Sequence, residues 1–225
     1  MSAIFVTGTG TDVGKTFVTT GLIRHFRAAG RAVDAIKPVV SGFDPVMWQD
    51  SDSAALLAAL GRSIGLDEVG RISPWRFKAT LSSDRAAWRA GRTIDFSELA
   101  EFCRRAMAVR NGVFLIEGIG GIMVPLDEHR TVLDLMSVLR IPAMLVAGSY
   151  VGTISHTLTA LEVLARRNID IAAVVVSESV GSAASLDETV ASIARFADAI
   201  PVVSIARVPV GTRDDAFFAR LAELI

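Results

Sequence analysis

Two of the chain's three lysines lie where a cation could meet a phosphate group. Lys15 belongs to GTGTDVGKT, residues 8–16, which follows an apolar run and opens a helical pattern. Glycines let backbone N–H groups turn toward phosphate oxygens, and a helix N-terminus adds a favourable field. Lys15 would neutralise the β- and γ-phosphates, and the hydroxyl of Thr16 would coordinate Mg²⁺. The stretch predicts a nucleoside triphosphate site, with a generic tight turn as the alternative.

This loop departs from the usual phosphate-binding pattern, which places a glycine five positions before the glycine of Gly-Lys-Thr. Position 9 is threonine instead, and glycines flank it at Gly8 and Gly10. Displacing the first glycine by one residue lengthens the loop. The longer loop is expected to bring Thr11 and Asp12 to its phosphate side.

The second lysine, Lys37, ends another apolar run, in KPVVSG. In open parallel sheets, ligands bind at the carboxyl ends of the strands. Lys37 is therefore expected to project into the same crevice as Lys15, and Ser41 could donate a hydrogen bond to a bound anion. The alternative for Lys37 is a surface lysine on a loop.

Two carboxylates also have positions that suit a metal site. Asp52 opens an Ala/Leu-rich helical stretch, and Glu117 ends the apolar run of LIEGIGG. Mg²⁺ prefers oxygen ligands, so Thr16, Asp52 and Glu117 are the predicted metal ligands. Asp52 could instead cap its helix, and Glu117 could be an ordinary acid in a turn. The glycines after Glu117 would let the backbone approach a ligand closely.

Apolar runs and helical periodicities alternate along nearly the whole chain. The predicted strands are 3–7, 33–39, 113–117, 143–147, 171–177 and 202–205. The predicted helices are 15–29, 52–60, 95–110, 131–139, 153–167, 186–197 and one from about 214, and 62–93 is the least regular stretch. This alternation predicts an α/β fold, a parallel sheet with helices on both faces. No linker or repeat interrupts it, so residues 1–225 are expected to form a single domain.

Composition narrows the classes of partner. The chain has 225 residues, of which 51% are hydrophobic, and a net charge of −1. A charge so close to zero gives no electrostatic case for nucleic acid or an anionic membrane. One cysteine, Cys103, excludes an internal disulfide. The N-terminus lacks a signal-peptide pattern, and no apolar run approaches the roughly 20 residues of a membrane helix, so we expect a cytoplasmic protein.

Taken in order, the motifs resemble those of the dethiobiotin synthetase family, a branch of the P-loop fold with a lengthened phosphate loop. The resemblance rests on GTGTDVGKT, KPVVSG, the Ser-Asp before a helix, IEGIGG followed by VPL, and VGTISH, and it extends through about Gly211. The pair formed by the first two motifs is more specific than either alone. The resemblance implies a single-domain P-loop NTPase-like fold and a homodimer.

It also implies a reaction: Mg²⁺- and ATP-dependent closure of a ureido ring on 7,8-diaminononanoate with CO₂, through a carbamate and a carbamic-phosphoric mixed anhydride. Lys37, Lys15 and Thr11 would be catalytic, and Ser41 and Ser155 would contact the substrate, whose carboxylate would meet residues 148–155. The implied nucleotide and metal contacts are Asp12, Val13, Gly14, Lys15, Thr16, Phe17, Asp52, Glu117, Gly118, Ile119, Gly120, Ser177, Glu178, Pro209, Val210 and Gly211.

The chain departs from the family's pattern at several of these positions. Ser177, beside Glu178, stands where the family commonly carries an asparagine that reads adenine, so the resemblance implies relaxed base selectivity. Ser155 replaces a common asparagine, which weakens the implied contact with the substrate carboxylate. Where the family has a Pro-Ser-Pro-His-like run, this chain has the sequence TLSSDRAA, residues 80–87.

Two other functions share this lineage. An amidating ligase acting on a corrin-ring acid usually has a further glutamine-hydrolysing domain with a nucleophilic cysteine. Here the one cysteine, Cys103, lies in a predicted helix. A switch ATPase of the partition or septum-positioning type carries an extra lysine at the position of Gly10 and tends to end in a basic amphipathic helix. The tail DDAFFARLAELI is amphipathic but not basic.

Overall fold

The fold described here is that of a computed structural model, which describes residues 2–108, 112–207 and 215–225. The strands in these residues are β1 (Ser2–Gly8), β2 (Val33–Ile36), β3 (Val39–Ser41), β4 (Trp75–Phe77), β5 (Val113–Glu117), β6 (Ala143–Gly148), β7 (Ile171–Ser177) and β8 (Val202–Ile205). The helices are α1 (Lys15–Ala28), α2 (Asp52–Leu60), α3 (Leu66–Ile72), α4 (Ser83–Arg89), α5 (Phe96–Ala108), α6 (Val132–Leu139), α7 (Thr153–Arg166), α8 (Leu186–Ala194) and α9 (Asp215–Ala222).

Six of these strands form one parallel sheet in the order β2-β5-β1-β6-β7-β8. Helices cover both faces of this sheet. Because neither face meets water, the central strands are apolar on both faces. In β5 every residue is buried, including Glu117 at its end. The prediction of a parallel α/β fold of the P-loop type is therefore confirmed.

A small second sheet, β3 paired in parallel with β4, was not predicted from the sequence. The pattern predicted one strand over 33–39, but β2 ends at Ile36, and Pro38 stands between β2 and β3. Proline cannot donate to a strand ladder, so the chain leaves the main sheet there. The stretch 62–93, expected to be irregular, contains α3, β4 and α4. This small sheet borders the crevice at the carboxyl end of β2.

A close contact between α1 and α9 closes one side of the core. A Cβ built on Gly21 of α1 would lie 1.9 Å from Cζ of Phe218, so glycine is required for this approach. Phe218 and its neighbour Phe217 are buried, with ring centroids 5.1 Å apart at 82°. Helix α1, which follows the phosphate loop, is thus held in place by its packing against α9.

Candidate active site

The phosphate loop spans residues 9–14, between β1 and α1. Asp12 and Gly14 adopt the left-handed conformation, with φ of 57° and 99°. Such turns direct consecutive backbone N–H groups to one side and create a concavity that suits anions. The ammonium of Lys15 donates to the carbonyl of Gly10 at 2.6 Å, within the same loop. The loop therefore has the geometry that the sequence predicted for a phosphate site.

Four side chains from four separate segments meet beside this loop. The Thr16 hydroxyl donates to Oε1 of Glu117 at 2.6 Å. The Lys37 ammonium donates to the same oxygen at 2.7 Å and also to the carboxylate of Asp52. Lys37 directly follows β2, and Asp52 begins α2, so the topology of the sheet edge brings together residues far apart in the sequence. The predicted convergence of both lysines and both carboxylates is observed.

The charges of this group shift one another's ionisation. Burial, together with the charge of Lys37, lowers the pKa of Lys15 to about 8. Burial also opposes the charge of Lys37, but the carboxylates of Glu117 and Asp52 outweigh it, and the pKa of Lys37 is raised above its ordinary value. Burial raises the pKa of Asp52, and the charge of Lys37 more than reverses this, so its pKa is lowered. Lys37 is thus held as a cation between two anions.

Asp52 does not cap α2, which removes one of the two alternatives for this residue. The cap is Ser51, whose hydroxyl accepts a hydrogen bond from the N–H of Ala54 at 3.2 Å. The Asp52 side chain is 47% exposed and faces the cavity beside Lys37. Its carboxylate is therefore open to a ligand.

The residues at this point fit a hard divalent cation. Thr16, Asp52 and Glu117 offer only oxygen atoms, which suits Mg²⁺. Oε2 of Glu117 is buried and has no hydrogen-bond partner in the part of the chain described. No group of three or more His, Cys, Asp and Glu residues among the described residues could hold a metal alone. A cation here would complete its shell with water and phosphate oxygens, which is usual for Mg²⁺ at nucleotide sites.

The glycine turn after Glu117 packs directly on the phosphate loop. A Cβ built on Gly121 would lie 3.0 Å from the carbonyl oxygen of Thr9. The N–H of Ile122 donates to the carbonyl of Gly8 at 3.2 Å. A Cβ on Gly118 would lie 2.8 Å from the ring of Phe5. Gly121 therefore allows backbone contact with the phosphate loop, and Gly118 allows close packing on Phe5 of β1.

These groups open into a cavity of about 720 Å³. Its lining includes predicted site residues: Thr11, Asp12, Gly14, Lys15, Thr16, Phe17, Lys37, Ser41, Asp52, Ile119 and Gly120. It also includes residues that the sequence reasoning did not select as site residues: Val40, Gly42, Thr80, Leu81, Ser82 and Val124. Gly42 and Thr80 are in contact, because a Cβ on Gly42 would lie 3.1 Å from Oγ1 of Thr80. Val40 and Gly42 belong to KPVVSG and Val124 to VPL, whereas TLSSDRAA was the sequence signal for residues 80–82.

Other predicted contacts lie outside this lining. Val13 is buried within the phosphate loop, and Gly118 is packed against the sheet. Ser155 is exposed in the first turn of α7. The chain alone therefore does not bring Ser155 to the cavity.

The predicted base-reading residues border the phosphate loop on its other side. Oγ of Ser177 lies 2.9 Å from the position of a Cβ built on Gly14. Glu178 is exposed, and its carboxylate accepts from the N–H of Arg207 at 2.7 Å. The remaining residues predicted for the base, Pro209, Val210 and Gly211, lie outside the described residues.

Serines join the loops that follow β6 and β7. The N–H of Ser149 donates to Oγ of Ser179 at 3.0 Å, and the N–H of Ser179 donates to Oγ of Ser149 at 2.9 Å. Ser182 donates to the carbonyl of Ser149 at 2.6 Å. Thr153 turns its hydroxyl back to the carbonyl of Gly148 at 2.6 Å and does not cap α7. The start of α7 is thereby tied to the loop beside Ser177.

Cys103 is not suited to act as a nucleophile. It is fully buried in α5, and burial raises the pKa of its thiol to about 12. A nucleophilic cysteine requires a low pKa and access to substrate. This argues against the glutamine-hydrolysing alternative for the described residues.

Among those residues, no helix is both long and apolar enough to cross a membrane.

Known proteins are similar to this chain in sequence or in fold. A family model described as an AAA domain matches residues 2–213. The ATP-dependent dethiobiotin synthetase BioD of Acidiphilium cryptum is 46% identical over 202 residues, 89% of this chain and 91% of that protein. The protein of the same name from Caulobacter vibrioides is 48% identical over 208 residues, 92% of this chain and 93% of that protein.

A solved structure of the MinC:MinD cell division protein complex of Aquifex aeolicus is also similar. It has a TM-score of 0.55, covers 98% of this chain and 86% of that chain, and is 12% identical in sequence. An identity this low shows a shared fold only. Position 10, where the switch ATPases carry a second lysine in the phosphate loop, is glycine here. High identity over nearly the whole length of two curated proteins is the stronger relation, and the chain belongs to the ATP-dependent dethiobiotin synthetase family.

Proposed function

We propose that this protein closes a cyclic urea on 7,8-diaminononanoate, using CO₂, ATP and Mg²⁺, and so makes dethiobiotin for biotin synthesis. The observation that carries this proposal is the position of Lys37. Lys37 lines the same cavity as the lengthened phosphate loop and is paired with Glu117 and Asp52. A phosphoryl group in transfer would pass this point. Identities of 46% and 48% to named dethiobiotin synthetases support the choice of substrate.

In the first step one amine of the substrate takes up CO₂ and becomes a carbamate. A carbamate oxygen attacks the γ-phosphorus of ATP, the bond to the β-phosphate oxygen breaks, and ADP leaves. The second amine then attacks the carbamoyl carbon of the mixed anhydride, and phosphate leaves with the pair of electrons of the broken C–O bond. Lys15, Lys37 and Thr11 are the proposed catalytic residues, because they line the cavity and can stabilise the charge that develops on phosphate oxygens.

Thr16, Asp52 and Glu117 are the proposed ligands of Mg²⁺. When bound, Mg²⁺ would neutralise the negative charge that builds up on the phosphate oxygens. Without a metal, the Lys37 ammonium pairs with both carboxylates, and it would be displaced from them in part as the cation binds. That exchange would leave its ammonium free to meet the transferring phosphoryl group.

The remaining contacts belong to the same proposal. The nucleotide phosphates would lie along the phosphate loop and the glycine turn, on Asp12, Val13, Gly14, Phe17, Gly118, Ile119 and Gly120. The base would meet Ser177 and Glu178, together with Pro209, Val210 and Gly211. Ser41 would contact the substrate. Because Ser155 is exposed and away from the cavity, its contact would be with a substrate bound to a second subunit, which favours a homodimer.

We place the reaction in the cytoplasm and propose one domain for residues 1–225. Partners are the three small molecules, with neither nucleic acid nor membrane. The test is mass spectrometry of the products formed from diamine, bicarbonate, ATP and Mg²⁺. We expect dethiobiotin, with ADP in equal amount, and neither product when any one component is omitted. Rapid ATP hydrolysis without the diamine, and no ring product with it, would overturn the enzyme assignment and favour a switch ATPase.

A further inference from the structure

The Lys37–Asp52 pair is assembled from two elements that could shift relative to one another. Lys37 follows the end of β2, and Asp52 is the first residue of α2. Residues 38–51, which join them, pass through β3 and a 3₁₀ turn, Trp48–Asp50. Asp52 is 47% exposed, so packing around its own side chain does not fix it. Something else must hold the start of α2 against the end of β2.

The backbone on either side of Lys37 is held by residues 72–75, between α3 and β4. The N–H of Lys37 donates to the carbonyl of Ile72 at 3.2 Å. The N–H of Trp75 donates to the carbonyl of Pro38 at 3.1 Å. These two bonds place Ser73 directly beside the strand end that carries the lysine. We call residues 72–75 the brace.

The brace also reaches the start of α2, through Ser73. Its hydroxyl lies 2.7 Å from that of Ser53, the residue next to Asp52. Both serines are fully buried. In the residues described, this is the only hydrogen bond of either hydroxyl, and the N–H of Ser73 is anchored on Val69 at 2.9 Å. The brace therefore contacts both halves of the site: Lys37 through the carbonyl of Ile72, and Ser53, the residue next to Asp52, through the hydroxyl of Ser73.

The helices that flank the two hydroxyls contribute buried apolar residues to the core: Leu56 and Leu57 in α2, and Val69 and Ile72 in α3. Apolar side chains of similar size would satisfy such a position, since a buried polar pair adds little net stability over an apolar pair. What the hydrogen bond adds is direction, because two hydroxyls must meet at a fixed separation and angle.

We propose that Ser73, acting through Ser53, is a positioning residue that holds Asp52, a proposed Mg²⁺ ligand, in place at the start of α2 for phosphoryl transfer. The inference rests on the proposed function, because its readout is the rate of that reaction. Displacing a catalytic group by about 1 Å can lower a rate by about 10²-fold. Losing the hydrogen bond frees the start of α2 to shift by part of that distance. A drop in kcat of about tenfold is expected.

The experiment compares Ser73→Ala, Ser53→Ala and the double variant. Each single variant leaves one buried hydroxyl unpaired, and we expect its unfolding equilibrium constant to rise about tenfold. The double variant leaves none, so its stability should return to near the wild-type value. The kcat for dethiobiotin formation should remain about tenfold low in all three variants, with the Kd for ATP within about twofold of wild type.

The matched control is Thr189→Val in α8. Thr189 is buried, and its hydroxyl donates to the carbonyl of Ser185 at 2.9 Å, away from the cavity. It should affect stability but leave kcat unchanged. A double variant that recovers both stability and kcat would show that the serine pair is structural only, and would overturn the positioning role while leaving the proposed function intact. A wild-type protein that makes no ring product would overturn both.

Discussion

Lys37 is the residue on which the chemistry of this site depends most. It is 6% exposed and contacts one carboxylate that is fully buried and one that is half-exposed. A charge so placed cannot leave its pocket, but it can change partners between carboxylate and phosphate. Lys15 differs, because its ammonium is bonded to a carbonyl of its own loop and its pKa is lowered to about 8. The two lysines are therefore suited to different tasks in the proposed catalysis: Lys15 to holding the phosphates in both the ground state and the transition state, and Lys37 to stabilising the transition state.

Replacing Lys37 with alanine separates these tasks. We expect Lys37→Ala to retain ATP binding and to lose turnover on the order of 10²-fold or more, since the charge that stabilises the transferring phosphoryl group is gone. Steady-state kinetics and calorimetric titration with ATP measure the two effects. The control is Lys78→Ala, which removes the exposed third lysine. Turnover that survives within tenfold would exclude a catalytic role for Lys37.

Ser177 gives a prediction about the base. A serine hydroxyl can donate or accept, but it cannot make the paired amide contact that distinguishes adenine. We expect CTP and GTP to compete with ATP with affinities within about tenfold, a difference of ~1.4 kcal/mol. Inhibition of ADP formation at fixed ATP concentration measures the competition. Strict preference for ATP would contradict this reading of Ser177.

Residue identity and spacing predicted the centre of the site but not its surroundings. Lys15, Lys37, Asp52 and Glu117 each stand at the end of a strand or the start of a helix, where topology alone brings them together. Ser73 could not be selected in this way. Its partner Ser53 is twenty positions away along the chain, and only the packing of α2 on α3 makes them neighbours.

At the scale of elements, long apolar runs were predicted well and short strands were not. The bounds of β5, β7 and β8 agree with their predicted ranges. In β5 and β7, four or more buried residues in a row leave a clear signal. The strands β3 and β4 have three residues each and form their own sheet. Three residues carry no period, and their pairing depends on the brace that follows α3. The cavity wall at 80–82 lies in a loop, which has no hydrophobic period from which to predict it.

The contact between α1 and α9 predicts the effect of one methyl group. In Gly21→Ala the new Cβ would overlap the Phe218 ring, so we expect a loss of about 1–3 kcal/mol in the free energy of unfolding. Denaturant titration measures it. Gly70→Ala in α3 is the control: its Cβ would meet only the side chain of Arg76, at 3.4 Å, and helix propensity should make it neutral or stabilising. Equal effects at both positions would argue against close packing as the cause.

The start of α6 gives a pH-dependent prediction. Asp134 accepts from the N–H and hydroxyl of Thr131 and pairs with Arg167 at 3.3 Å. These contacts outweigh its partial burial and lower the pKa of its carboxyl. A carboxyl with a lowered folded pKa stabilises the protein above its unfolded pKa, about 3.9, and the contribution is lost as pH falls through the folded value.

Asp134→Asn should therefore reduce the free energy of unfolding by about 1 kcal/mol at pH 7, the usual size of a helix-capping contribution. The difference from wild type should shrink as the pH falls below about 4, since the wild-type carboxyl is then protonated as well. Chemical denaturation across this range measures both values. Asp187→Asn, in the first turn of α8 and exposed, is the control and should show a smaller change. A difference that persists unchanged at low pH would contradict the ionic origin.

For the whole molecule, the site draws on β1, β2, β5, α1 and α2, which together include the centre and one edge of the main sheet. A ligand that binds them all should therefore stabilise the fold as one unit. Mg²⁺-ATP at 100 times its Kd should raise the free energy of unfolding by about 2.7 kcal/mol. Fluorescence and circular dichroism should report the same single transition with and without the ligand. Two separate transitions, of which only one shifts, would contradict a single domain.

The packing of the glycine turn after Glu117 on the phosphate loop has a consequence for protein engineering and for evolution. With Gly121 pressed against Thr9 and Ile122 bonded to Gly8, neither segment can change length or add a side chain without moving the other. The two segments must therefore be inherited, or transplanted, as a pair. A chimera that takes its phosphate loop from a kinase with the usual phosphate-binding pattern would need the matching turn of that kinase as well.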